Sequence, residues 1–158
     1  MNINIIAVGK IKEKYFTAAI DEYVKRLSRF AKVNITEVAD EKIPDNASEK
    51  EVEKIKDAEG NKILSKLPQS SFNIAMCIEG TEFSSEKLAK KIADVSMTSS
   101  SITFIIGGSL GLSDAVKDKS DLRLSFGSVT LPHQLMRVVL LEQVYRTFKI
   151  NNNESYHK

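Results

Sequence analysis

The sequence holds a single cysteine, Cys77, so no disulfide can form within the chain and a cysteine-rich zinc site is excluded. Histidine occurs only twice, at His133 and His157, which leaves too few imidazoles for an expected catalytic zinc centre. No apolar run approaches the roughly twenty residues that cross a bilayer, and no membrane partner is expected. The opening Met1-Asn2-Ile3-Asn4-Ile5-Ile6 has neither a basic n-region nor a small-residue cleavage site, so it reads as the start of a cytosolic chain and not as a signal peptide. No internal repeat, low-complexity tract or linker interrupts residues 1–158, and one domain is expected. No Ser-His-Asp set, His-Glu metal motif or paired-carboxylate arrangement stands out either, and a small α/β hydrolase fails for want of a nucleophile and its base.

Charge of one sign is also lacking. The net charge of +2 is too small to announce a nucleic-acid binder. Its distribution is uneven, however: residues 9–33 carry seven bases and three acids, whereas residues 37–59 carry nine acids and four bases. Such polarity is what solvated helix faces produce, and it also allows a polyanion to be held on one side only.

Short β-rich runs alternate with helical patterns, which predicts an α/β fold with a mostly parallel sheet flanked by helices. Strands are expected at Asn2–Val8, Val33–Val38, Phe72–Ile78, Ser101–Ile106 and Leu122–Phe126, with Gly9 and Gly80 as stops. Helices are expected over Glu13–Ser28, from Ser48 to about Leu67, from Ser84 or Ser85 through Leu88, Ile92 and Val95, from Ser113 to about Ser120, and from Pro132 to Lys149. The spacing Ser48-Glu49-Lys50-Glu51 predicts a capping box. In the last helix Leu135, Met136, Val138, Val139, Leu140, Leu141, Val144, Tyr145 and Phe148 exceed one apolar stripe. That pattern suits a helix buried within one subunit, or one packed on a core and on a second copy in a homodimer. The tail Asn151–Lys158 reads as irregular.

Ligands of parallel α/β sheets bind beyond the carboxyl ends of the strands, so residues there are the candidates. Ile105-Ile106-Gly107-Gly108-Ser109-Leu110-Gly111 is neither a Walker loop nor a dinucleotide fingerprint, and serves equally as a tight turn or as a backbone cradle. Leu124–Pro132 runs from strand through a Gly/Ser loop into a helix beginning Pro132-His133, where His133 is either a capping histidine or a reactive one. Cys77, within the apolar run Ala75–Ile78, reads as an inert core thiol. Ser155-Tyr156-His157-Lys158 groups an aromatic, an imidazole and an ammonium, a set that suits an RNA base and its phosphate if the terminus is ordered.

The run Ile105–Leu112, the segment Leu124–His133, the stretch Arg137-Val138-Val139 with Glu142-Gln143-Val144-Tyr145-Arg146, and the terminal Tyr156-His157-Lys158 resemble the ribosomal RNA large subunit methyltransferase H family. Ala7-Val8-Gly9-Lys10 and Glu22-Tyr23 with Arg26-Leu27 match as well, so the resemblance spans the chain. It implies a SPOUT-class α/β domain with a C-terminal trefoil knot, and a homodimer. It further implies an S-adenosylmethionine site at Met76, Gly107, Gly108 and the loop Phe126, Gly127, Ser128, Val129, Thr130, Leu131. The implied reaction is methylation of N3 of a pseudouridine in 23S rRNA, presented by the assembled 70S ribosome.

Under that resemblance His133, Tyr156 and His157 are the candidates for taking the imide proton or orienting the base, with His157 supplied across the dimer. Arg137 and Lys158 are the candidate substrate contacts, and Arg146 a structural one. Leu110 departs from the family, whose members often carry a polar residue before the third glycine. Two other readings accompany this one: a SPOUT methyltransferase acting on another RNA such as tRNA, and a non-catalytic ribosome-associated factor that binds an adenine nucleotide.

Overall fold

Along β1 (Asn2–Val8), Ile3, Ile5 and Ala7 point to one face while Ile6 and Val8 point to the other, and all five are buried. A strand apolar on both sides has to lie inside a sheet covered on both sides. The computed structural model, which describes residues 1–158, places it there. After β1 come α1 (Lys14–Leu27), β2 (Lys32–Val38), α2 (Glu49–Leu64), β3 (Phe72–Glu82), α3 (Ser85–Ser96), β4 (Ser101–Ile106), α4 (Asp114–Asp118), β5 (Leu122–Ser125) and α5 (His133–Asn151). The strands are parallel throughout, in the order β2-β1-β4-β3-β5. Every residue of the central β4 is buried. No helix is long and apolar enough to cross a membrane.

The two faces are covered unequally. Helices α1, α3 and α5 close the larger core, which holds Ile3, Ile5, Ile74, Ile102, Phe104 and, from α5, Leu140, Leu141 and Val144. Helices α2 and α4 cover the smaller one, built on Ile6, Val8, Val38, Ala75 and Ile105. Helix starts follow the local chemistry. Ser48 and Glu51 form the expected capping box on α2, and Ser84 and Ser113 cap α3 and α4 by accepting the backbone N–H three residues on.

The structure departs from expectation most at β3. Gly80 was expected to stop that strand after Ile78, yet β3 runs on to Glu82. Met76 and Thr81 both face Leu124 of β5, so the residues between them form a bulge and the pairing resumes beyond it. Gly80 makes this possible by close approach, since a Cβ there would lie 2.8 Å from the Arg123 carbonyl group. Smaller shifts follow local bonds. β5 ends at Ser125, whose hydroxyl accepts from the Gly127 N–H at 3.1 Å and so starts a turn one residue early. α2 stops at Leu64, and Pro132 stands just outside α5 instead of within its first turn.

Because the atoms facing Gly80 are backbone, a Gly80→Ala chain has to displace β5. It is expected to lose about 1–3 kcal/mol, read as a lower urea midpoint with unchanged far-ultraviolet circular dichroism.

Candidate active site

Three loops meet beyond the carboxyl ends of the strands: the β3 bulge at 77–80, the β4–α4 loop Gly107–Leu112 and the β5–α5 loop Phe126–Pro132. They enclose a cavity of about 960 Å³. Of the residues expected to hold a cofactor, Met76, Gly107, Gly108, Phe126, Gly127, Val129, Thr130 and Leu131 line it, and Ser128 alone does not. His133 lines it too, with its ring against the β1–α1 turn: a Cβ at Gly9 would sit 3.6 Å from His133 Nε2.

The glycine run forms the tight turn that the sequence allowed. Gly108 and Gly111 pair across a tight turn, with the Gly111 N–H donating to the Gly108 carbonyl at 3.1 Å, and Gly111 has φ +85°. The turn also forms the cavity wall, where half-buried Leu110 offers an apolar side chain. Behind it stands Glu59 of α2, which the sequence reading missed. Its carboxylate accepts the Glu41 N–H at 2.9 Å, and a Cβ at Gly108 would lie 3.2 Å from its Oε1. Burial pushes the Glu59 carboxyl above the usual carboxylate range, and the nearby Asp40 and Glu41 charges add to this. Gly60 was the available signal: a glycine inside a helix disfavours that helix, and here a Cβ would fall 2.3 Å from the Ser113 hydroxyl where α2 meets α4.

Arg137, expected to contact substrate, is placed elsewhere. It is 1% exposed, and its guanidinium donates to Glu37 Oε2 at 2.6 Å, to the Gly9 carbonyl at 2.6 Å and to the Val8 carbonyl at 3.4 Å. Its Nε has no partner. Glu37 in turn accepts the Ile11 N–H at 3.1 Å, and Gln134 accepts the Lys12 N–H at 3.3 Å. These bonds tie the first turn of α5 to the carboxyl end of β1, so Arg137 has no face free for RNA. It ties α5 to β1 and β2 instead.

The tail is irregular, as expected, but it is pinned. Glu154 receives Arg29 at 2.9 Å and Lys149 at 2.5 Å. The Tyr156 hydroxyl donates to Glu142 Oε2 at 2.7 Å, and Arg146 donates to Glu142 Oε1, the structural role expected of it. His157 Nε2 donates to Glu86 Oε1 at 2.6 Å, while its Nδ1 faces the Arg146 guanidinium at 3.3 Å. Burial, reinforced by Glu142, raises the Tyr156 phenol above its ordinary value and pushes the Tyr23 phenol to about 12. Tyr156 therefore keeps its proton at neutral pH and serves as a donor. None of Tyr156, His157 and Lys158 lines the cavity of their own chain.

Comparison with known proteins finds relatives over the whole chain. A family model described as "Predicted SPOUT methyltransferase" matches residues 1–157. The chain is 57% identical over 159 aligned positions to ribosomal RNA large subunit methyltransferase H of Clostridioides difficile, with all of both chains covered. The proteins of the same name from Lactobacillus acidophilus and Lacticaseibacillus casei are 57% and 56% identical, again over the whole of each chain. Among solved structures, a probable methylase family protein from Haemophilus influenzae Rd KW20 shares the fold at TM-score 0.55 and 13% identity, over 99% of this chain and 70% of that one.

Two variants test the supports of the cavity. The folded chain holds the Glu59 proton to higher pH than the unfolded chain does, so stability falls as pH rises through that interval. Glu59→Gln, which keeps an acceptor for the Glu41 N–H, is expected to match or exceed the parent's denaturation midpoint at pH 8, with the difference closing on acidification. Arg137→Met removes charge-assisted bonds to two carbonyls and Glu37, and is expected to cost about 2–3 kcal/mol in urea titrations at pH 7.

Proposed function

This chain belongs to the ribosomal RNA large subunit methyltransferase H family of the SPOUT methyltransferases, and on that premise we propose the reaction that its cavity serves. It transfers the methyl group of S-adenosylmethionine to N3 of a pseudouridine in 23S rRNA of the assembled ribosome, in the cytoplasm. The observation that carries this reading is the convergence of the glycine turn, the Phe126–Leu131 loop and His133 on one cavity.

The cavity suits such a cofactor. It has apolar walls from Met76, Ile106, Leu124 and Phe126, and Gly107 and Gly127 add backbone that carries no side chain. When bound, the cofactor supplies a methyl group already activated by a positive sulfonium, so the chain needs no covalent nucleophile. What the chain must do is hold N3 in line with that methyl and remove the imide proton, because protonated N3 has no free lone pair. His133, on the cavity wall with Gly9 behind its ring, takes that proton or orients the base.

The tail completes the site across a homodimer. Within one chain it is tied to α3 and to the far end of α5, and from His133 to Asn151 the helix spans roughly 27 Å. A second copy can bring its Tyr156 and His157 to this cavity while the half-exposed Leu135, Val138 and Val139 of α5 supply apolar contact. Lys158, at the end of that tail, meets an RNA phosphate. The knot implied by the resemblance belongs to the same reading: from β5 at the sheet edge, the chain returns past the glycine turn to the end of β1.

The test is transfer of labelled methyl from S-adenosylmethionine to ribosomes that lack the modification, with free 23S rRNA and tRNA alongside. Label on a 23S pseudouridine in assembled ribosomes alone is the expected result; label on tRNA moves the substrate, and no label with cofactor still bound favours the non-catalytic reading. His133→Ala is expected to lower kcat by about 10²–10⁴-fold. Deleting Ser155–Lys158 is expected to abolish transfer while sparing the affinity for S-adenosylhomocysteine, measured by calorimetry.

A further inference from the structure

The cavity has two unlike ends. On the face covered by α1, α3 and α5, its walls are the apolar Met76, Ile106, Leu124 and Met136. On the face covered by α2 and α4, it is ionic: Lys56 of α2 lines it, beside Lys117 of α4 and Glu79 of the β3 bulge. Lys117 and Glu79 are paired with one another. Lys56 is not comparably matched. Its side chain keeps only 17% of its exposure, and its one carboxylate neighbour, the well-exposed Glu53, is 3.8 Å away. A lysine whose stem is packed at the cavity wall, and whose ammonium has no hydrogen-bonded carboxylate, is placed to meet an anion there.

We infer that Lys56 holds the α-carboxylate at the amino-acid end of the cofactor. The inference rests on the cofactor reading above and extends it to a part of the molecule that the glycine turn and the Phe126–Leu131 loop leave without a charged partner. A ligand with a flat apolar body at one end and a carboxylate at the other matches the polarity of the cavity. Lys117, neutralised by Glu79, does not compete for that anion.

The test compares two ligands on the full-length chain by calorimetry: S-adenosylhomocysteine, and 5′-methylthioadenosine, which keeps the adenosine and thioether but lacks the amino-acid end. Wild type is expected to prefer S-adenosylhomocysteine. Lys56→Met is expected to weaken S-adenosylhomocysteine about tenfold, the scale of one partly exposed charge-assisted bond, and to leave methylthioadenosine unchanged, while Lys56→Arg restores the preference. Equal loss for both ligands, or no change in either, overturns the assignment. An unaltered S-adenosylhomocysteine affinity with a raised KM for ribosomes also overturns it and gives Lys56 to an RNA phosphate. Failure of the wild-type chain to bind S-adenosylhomocysteine would sink the cofactor reading itself, a result distinct from all of these.

Discussion

A buried guanidinium at the end of β1 is the constraint on which the site depends. The Val8 and Gly9 carbonyls end a strand in the sheet interior, where unpaired acceptors are costly. Arg137 satisfies them from the first turns of α5, and Glu37 balances its charge from the neighbouring strand. The ion pair is buried on one side only, since Glu37 keeps 37% of its side-chain exposure, so it escapes the full desolvation penalty of an interior pair. Its main effect is geometric. With α5 anchored at β1 and β5 at the opposite edge of the sheet, residues 126–132 have to pass over the strand ends between them. The cavity is the space enclosed by that passage.

Much of this site is backbone. The glycine turn, the Ser125–Gly127 turn and the β3 bulge bring main-chain groups to the mouth of the sheet, beside apolar walls from Met76, Ile106, Leu124 and Phe126. Charge enters through Lys56 of α2, Lys117 of α4 and Glu79 of the β3 bulge. The polarised surface in the sequence thus has a counterpart inside the molecule, where the acid-rich segment 37–59 supplies Glu37 and Glu59 as supports and Lys56 as a wall residue.

The elements were legible because their periodicities are local. Asn2–Val8 and Ser101–Ile106 read as strands, and the apolar residues of α5 exceeded the one stripe of a surface helix. The extension of β3 was not legible, since it depends on register with β5 and on how closely Gly80 approaches Arg123. Eight of the loop and strand positions implied by family resemblance line one cavity across long sequence gaps, Met76 with Gly107 and Gly108, and these with Phe126, Gly127, Val129, Thr130 and Leu131. Arg137 was misjudged because an arginine near a candidate site suggests an anion. Its place in the run Met136-Arg137-Val138-Val139-Leu140-Leu141 was the better guide, for a charge amid so many apolar neighbours has to find its partners indoors. Glu59 left no pattern beyond the glycine beside it.

The bond between Arg137 and Gly9 joins residues 128 positions apart, and β1 pairs with β4 across almost a hundred. During synthesis the first strand therefore waits for the fourth before its second edge is filled, and the carbonyls at its end wait longer still. Non-local pairing of this kind slows folding. A nascent chain can assemble its sheet and the smaller core before α5 arrives, but the larger core and the cavity wall at His133 and Met136 both wait for that helix. The cavity is thus among the last features of the fold to form.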